Sequence, residues 1–238
     1  MEESDPFALR TSPTARRPLL GLTVLAVEDS RFACETMRLM CLRSGARIRR
    51  ADCLRSARRH LQVYRPSVVI VDMGLPDGRG EDLIHDLDAA SPRVSALLGL
   101  SGDDGAEERA INAGADAFMG KPLQSLAAFQ EAILAVLPET QRPKGLRPVT
   151  DDQITPDPAA YRDDMTHVAD LLEGETDGPM LDYVAQFLGG VARSADDKTL
   201  AKAATRLKKQ RALGGQSPEM VKTLSQMVRD RIKRKVAI

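Results

Sequence analysis

The 238-residue sequence predicts an α/β fold, a doubly wound sheet of five parallel strands, followed by an all-α C-terminal part. Three observations carry that expectation. Between residues 19 and 138, short apolar runs alternate with helix-period segments, the pattern of a parallel sheet covered on both faces. Two of those runs end in acids, Val27 before Glu28-Asp29 and Val71 before Asp72, at the strand edge where open α/β sheets place their sites. Beyond residue 158 the apolar period becomes purely helical.

Each element has its own local reason. Residues 1–18 are polar and carry Pro6, Pro13 and Pro18, which suggests a flexible lead-in. Leu22 to Val27 reads as the first strand, and a helix near 30–44 presents Phe32, Met37, Met40 and Cys41 as one stripe before Gly45 ends it. A weaker strand near 46–50 leads to a helix near 53–64, with Leu54, Ala57, Leu61 and Tyr64 at helical spacing and Arg55, Arg58 and Arg59 on a solvated face. Val68-Val69-Ile70-Val71 is uniformly β-branched and predicts a buried central strand. Pro76-Asp77-Gly78 is a loop; Leu83, Ile84 and Leu87 mark the next helix, closed near Ser91-Pro92. Run 94–100 is the fourth strand, Glu107 to Ala113 a short helix stopped by Gly114, and Ala117-Phe118-Met119 the fifth strand. A helix from Ser125 to Leu137 turns Leu126, Phe129, Ile133 and Leu137 inward. The topology this order implies is flavodoxin-like.

Pro138, Pro143, Pro148, Pro156 and Pro158 make residues 139–158 a Pro-rich linker, since neither helix nor central strand accommodates that spacing. Four amphipathic helices are expected over residues 159–238. Tyr161, Met165, Val168 and Leu172 share one face; Met180, Val184, Phe187, Leu188 and Val191 share another. Ser194 with Asp197 resembles a capping box ahead of Leu200, Ala203, Ala204 and Leu207. Gly214-Gly215 ends that helix, and Ser217-Pro218 starts the last one, with Val221, Leu224, Val228 and Ile232 inward. A core of this size is modest, so self-association or a protein partner is a natural supplement.

The formal charge is zero, but its distribution is not even. Residues 150–197 hold 2 Lys/Arg against 12 Asp/Glu, and residues 198–238 hold 12 against 2. Those blocks either lie against each other or leave the basic one for an acidic partner. Cys34, Cys41 and Cys53 are odd in number without CxxC spacing, and three His are scattered, which argues against structural zinc and disulfides and for a cytoplasmic location. Neither a signal peptide nor an apolar run of spanning length is evident, so no membrane contact is expected.

Glu28, Asp29 and Asp72 are thereby brought to one sheet edge, with Ser101 and Lys121 following later strands. Like charges at close range raise one another's pKa unless a cation or proton separates them, and such an oxygen set suits Mg²⁺. These residues resemble the receiver domain of bacterial two-component response regulators over about residues 20–138. The resemblance implies that Glu28-Asp29 binds Mg²⁺ with Asp72, which accepts the phosphoryl group, Pro76 and Gly80 following at plus four and plus eight. It further implies Ser101 as the switch hydroxyl, Lys121-Pro122 as the invariant Lys-Pro with a cis bond, and Phe118 as the aromatic switch residue. Gly114-Ala115-Asp116 also falls in the family's usual place.

Three departures stand out. Phe118 replaces the commoner Tyr, the segment from Ser101 to Lys121 is about two residues short, and Gly74 is expected to leave the phosphate open to water and to a partner. The implied function is non-enzymatic: a histidine kinase or phosphotransfer protein phosphorylates Asp72, and the helical part is the output, through a downstream protein or self-association. Two alternatives are a transcriptional regulator reading DNA through the basic last helix, and a scaffold with a vestigial receiver. Arg229, Arg231, Lys233, Arg234 and Lys235 are the candidate nucleic-acid or partner surface. His167 lacks the Lys-Gly of phosphotransfer helices and is expected in a surface or capping role.

Overall fold

The computed structural model describes residues 12–145, 152–174, 177–215 and 218–233. Its first strand, β1 (Thr23–Val27), is followed by α1 (Arg31–Ser44), β2 (Arg47–Ala51), α2 (Leu54–Val63) and β3 (Val68–Asp72). Of the loop expected at Pro76-Asp77-Gly78, Pro76-Asp77 are a turn, and Gly78 opens the second strand of a two-residue pair, β4 (Gly74–Leu75) antiparallel to β5 (Gly78–Arg79). Then come α3 (Gly80–Asp88), β6 (Ala96–Ser101), α4 (Ala106–Asn112), β7 (Ala117–Gly120) and α5 (Leu126–Val136). The large sheet has the order β2-β1-β3-β6-β7 and is parallel throughout.

Period-two alternation splits the strand side chains between two apolar layers. Val24, Ala26, Val68, Ile70, Leu98 and Leu100 face Met37, Met40, Phe129 and Ile133 of α1 and α5. Leu25, Val27, Val69, Val71 and Leu97 face Leu54, Ala57, Leu83, Ile84 and Ala110 of α2, α3 and α4. Burial on both faces is what the uniform Val-Val-Ile-Val run requires. Gly114, at φ 106°, stops α4, and Asp116 accepts from Leu97 N–H at 2.8 Å while Arg93 grips the same carboxylate, so this turn ties β7 to β6.

The helical part comprises α6 (Pro158–Glu173), α7 (Gly178–Ser194), α8 (Lys198–Ala212) and α9 (Pro218–Lys233). Met165, Val168, Val184, Leu188, Leu200, Leu207, Leu224 and Val228 close a third apolar core. One cap differs from expectation. Ser194 is the last residue of α7, and Asp197 itself caps α8, accepting from Leu200 N–H at 3.0 Å. Asp197 also accepts from Arg231 Nε and Nη2, at 2.7 and 3.0 Å, and from the Tyr161 hydroxyl at 2.9 Å, an arrangement that joins three helices and left the Ser-x-x-Asp pattern without its usual geometry. The acidic and basic blocks therefore meet each other, as Arg211–Asp182 and Arg229–Glu173 also show.

Within the Pro-rich stretch, Ile154 is buried in the α1/α5 core, and residues 152–154 hydrogen-bond to the entry of α5. The expected cap Ser217, most of the lead-in, Pro148, Arg234 and Lys235 lie outside the described residues.

Candidate phosphoacceptor site

Strand polarity builds the site. Because all five strands run the same way, the ends of β1, β3, β6 and β7 deliver Glu28-Asp29, Asp72, Ser101 and Lys121 to one edge. Asp72 is the final residue of β3 and Ser101 that of β6. One carboxylate oxygen each from Glu28, Asp29 and Asp72 lies within 4.8 Å of the others, the one acidic cluster with metal-ligand spacing among the described residues. Lys121 Nζ stands 2.7 Å from Glu28 Oε2 and 3.0 Å from Asp72 Oδ2. Its peptide bond to Pro122 is cis, as is Ser91-Pro92. Gly80 is obligatory for a local reason: a Cβ there would collide with the Asp72 carbonyl oxygen.

Electrostatics follow from burial. Desolvation pushes the Asp72 carboxyl up to about 7 against the pull of Lys121. Burial, then repulsion from Glu28 and Asp72, raises Asp29 as well. For Lys121, desolvation opposes the charge, but the attraction of Asp72 and Glu28 outweighs it and holds the ammonium above its ordinary range. Three carboxylates facing one ammonium are a donor set that fits a hard divalent cation.

Ser101 Oγ accepts from Asp103 N–H at 3.2 Å. Phe118 is partly buried on the α4 side, packed against the apolar layer near Gly99 and Ala110.

Gly74 does not open the site to solvent as expected. A Cβ there would collide with the Gln186 amide, because α7 crosses the strand ends. Tyr183 donates its hydroxyl to Asp29 Oδ2 at 2.7 Å. Burial, then the Asp29 charge, keeps that phenol above its ordinary pKa. Arg193 covers Gly102, with its guanidinium 3.8 Å from Asp103 Oδ1, beyond hydrogen-bond range. Phe187, Gly190, Val191 and Ser194 complete the far wall.

A second contact from the helical part lies at the start of α1. A helix leaves its first N–H groups without intrahelical partners. Here Ser30 N–H donates to Glu28 Oε1 and Ala33 N–H to Ser30 Oγ. Arg31 and Phe32 N–H both donate to Asp164 of α6, at 2.7 and 3.1 Å, and Ser30 Oγ–H donates to it at 2.8 Å. Asp164 is 1 % exposed. Burial pushes its carboxyl up to about 6 despite those three donors.

Among the candidate surface cations, Arg229 pairs with Glu173 and Arg231 with Asp197, leaving Lys233 exposed. His167 is an exposed residue of α6, its ring edge-on to that of Phe187 of α7 with centroids 5.7 Å apart. Tyr183, Gln186, Arg193 and Asp164 were not legible as site residues, because each acts on a partner over 80 positions away. No local pattern marked them; even the Gly189-Gly190 pair of α7 does not report the docking, since a Cβ at Gly190 meets nothing within 4 Å.

The sequence profile of the response regulator receiver domain matches residues 24–133. The KDP operon transcriptional regulatory protein KdpE of Escherichia coli is 31% identical over 99 residues, which is 42% of this chain and 44% of that protein. The probable transcriptional regulatory protein TcrX of Mycobacterium tuberculosis is 34% identical over 115 residues, 48% of this chain and 47% of that one. The chain thus spans about half the length of these curated relatives. Among solved structures, the receiver domain of the sensor histidine kinase PA1611 from Pseudomonas aeruginosa PAO1, with magnesium coordinated in its active-site cleft, has 22% identity and a TM-score of 0.44. That likeness covers 48% of this chain and 96% of that one. No helix among the described residues is long and apolar enough to cross a membrane. Strand order, the edge cluster and the sequence match together identify residues 24–133 as a response regulator receiver domain, followed by a helical part that the match does not reach.

Proposed function

We propose that this chain is a two-component response regulator in which residues 19–138 receive the signal and residues 159–238, beyond the 139–158 connection, are a protein-interaction output. The observation that carries this reading is the convergence of Glu28, Asp29 and Asp72 on Lys121 at one sheet edge. In it, an Asp72 oxygen attacks the phosphorus of a phosphohistidine on a histidine kinase or phosphotransfer protein. The new O–P bond replaces the P–N bond, whose electron pair stays with the donor imidazole. Glu28, Asp29 and Asp72 would hold Mg²⁺, which would supply neutralisation of charge on the transferring oxygens. Lys121 is placed to pair with one phosphoryl oxygen and the Ser101 hydroxyl to donate to another.

Buried Asp72 is a poor nucleophile while protonated, so the adjacent ammonium of Lys121 also serves to keep it ionised. Internal pairing of Arg229 and Arg231 supports a protein-facing output over DNA reading. The test is intact-mass spectrometry after incubation with acetyl phosphate and MgCl₂. Wild type is expected to gain one phosphoryl group and Asp72→Asn none; equal gain by both, or gain by neither, overturns the assignment.

A further inference from the structure

The helical part covers the site it is meant to obey. What remains between α7 and the strand ends is a cavity of ≈ 20 Å³, walled by Asp29, Asp72, Lys121, Gln186 and Arg193 among others. That space holds about one water molecule. A magnesium ion ordinarily keeps several waters, and a phosphoryl group adds three oxygens, so the docked α7 and a loaded site exclude each other.

The same conclusion comes from an individual side chain. Tyr183 bonds to Asp29 Oδ2, on one of the three carboxylates of the proposed metal-binding set. Metal and tyrosine hydroxyl thus draw on the same carboxylate, whose orientation the hydroxyl holds while α7 is docked. Around this contact the docking is extensive: Asp164 caps α1, Arg31 pairs with Asp163 at 3.1 Å, Phe32 meets Tyr161 edge-on at 5.9 Å, and Lys208 pairs with Asp103 at 2.8 Å. Arg193 Nε is buried without a hydrogen-bond partner, and its Nη2 lies 3.8 Å from Asp103 Oδ1.

We propose that α7 is a displaceable lid on the phosphoacceptor, with Tyr183 standing in for the metal on Asp29, so that loading the site releases the helical part. This rests on the assignment of Asp72 as phosphoacceptor. Signal then passes directly from the acidic cluster to α7, without requiring the face around Phe118. By linkage, whatever docking does to metal affinity, metal does equally to docking.

The full-length chain tests it with Mg²⁺ alone and with Mg²⁺ plus beryllofluoride as phosphoryl mimic. Hydrogen exchange of the segment 183–194 is expected to speed up roughly tenfold on loading with beryllofluoride. Calorimetric titration should show Mg²⁺ binding tightened roughly 5- to 30-fold in Tyr183→Phe, and tightened also in Gln186→Ala, which removes cover without touching a ligand. Unchanged or slower exchange over 183–194 at saturating beryllofluoride overturns the lid, as does Mg²⁺ affinity that is equal or weaker in both variants. If wild type binds neither Mg²⁺ nor beryllofluoride and gains no mass from acetyl phosphate, the phosphoacceptor assignment fails and the lid falls with it. Phosphorylation of Asp72 with α7 unmoved sinks the lid alone.

Discussion

Replacing Asp164 with alanine isolates the clamp between the two parts of the chain. The substitution removes the acceptors for Ser30 Oγ, Arg31 N–H and Phe32 N–H. Phe32 N–H is buried, and leaving it unpaired costs about 1–3 kcal/mol. Losing an anion from the start of α1 adds about 0.3–1 kcal/mol. Part of this is offset, because burial holds the carboxylate at a disadvantage, as its pKa of about 6 records. A net loss of about 2 kcal/mol remains, or roughly 30-fold in the opening equilibrium.

Native-state hydrogen exchange in the full chain reads this directly. The Arg31 and Phe32 amides are expected to exchange roughly 30-fold faster in Asp164→Ala, while those of the central strand Val69–Val71 stay protected. A pH series adds an independent arm. The folded pKa of Asp164, about 6, lies above the ordinary value of about 3.9, so the docked form binds the extra proton between them. Its contribution is thus fullest below pH ~4 and declines as pH rises through about 6; the alanine variant should lack that component. Unchanged protection of Arg31 and Phe32 would refute the clamp.

Lys121→Ala leaves three crowded carboxylates without their ammonium and should cost about 3–5 kcal/mol. Millimolar MgCl₂ is expected to raise its melting temperature more than that of wild type, and an equal rise would contradict the charge argument. Asp197→Ala removes the α8 cap together with the Arg231 and Tyr161 bonds and should destabilise by about 3 kcal/mol in denaturant. Although burial opposes it, the Arg231 bonds hold the Asp197 carboxyl down to about 2, so its contribution is present above pH ~4 and lost as pH falls towards 2. The stability of this variant should consequently fall less between pH ~4 and ~2 than that of wild type. Gly190→Ala meets nothing within 4 Å and should stabilise α7 by about 0.5–1 kcal/mol, whereas Gly45→Ala, at φ +85° against Arg17 and Leu20, should destabilise. Paired thermal melts decide the signs.

Much of this protein is local in origin. The uniform Val68–Val71 run, the glycines ending α1 and α4, and the two-residue period of the strands are properties of neighbouring residues, so the five-stranded sheet was legible in order. Parallel strand direction then brings Glu28, Asp29, Asp72, Ser101 and Lys121 to one edge without further information, because every strand ends on the same side. The last four helices were equally plain from their apolar faces.

Docking between the two parts is another matter. Asp164 bonds to residues 132 to 134 positions away, and Tyr183 to one 154 away. A short carboxylate or phenol has no local pattern that announces a distant partner, and the same side chains would be ordinary on a solvated helix. Gly74 shows the consequence, since in sequence it is merely a missing side chain, yet in three dimensions it makes room for Gln186. Sequence by itself determined the sheet, the acidic edge and the helical faces; tertiary structure decided that α7 lies across that edge, because only packing brings groups so far apart in the chain within hydrogen-bond distance.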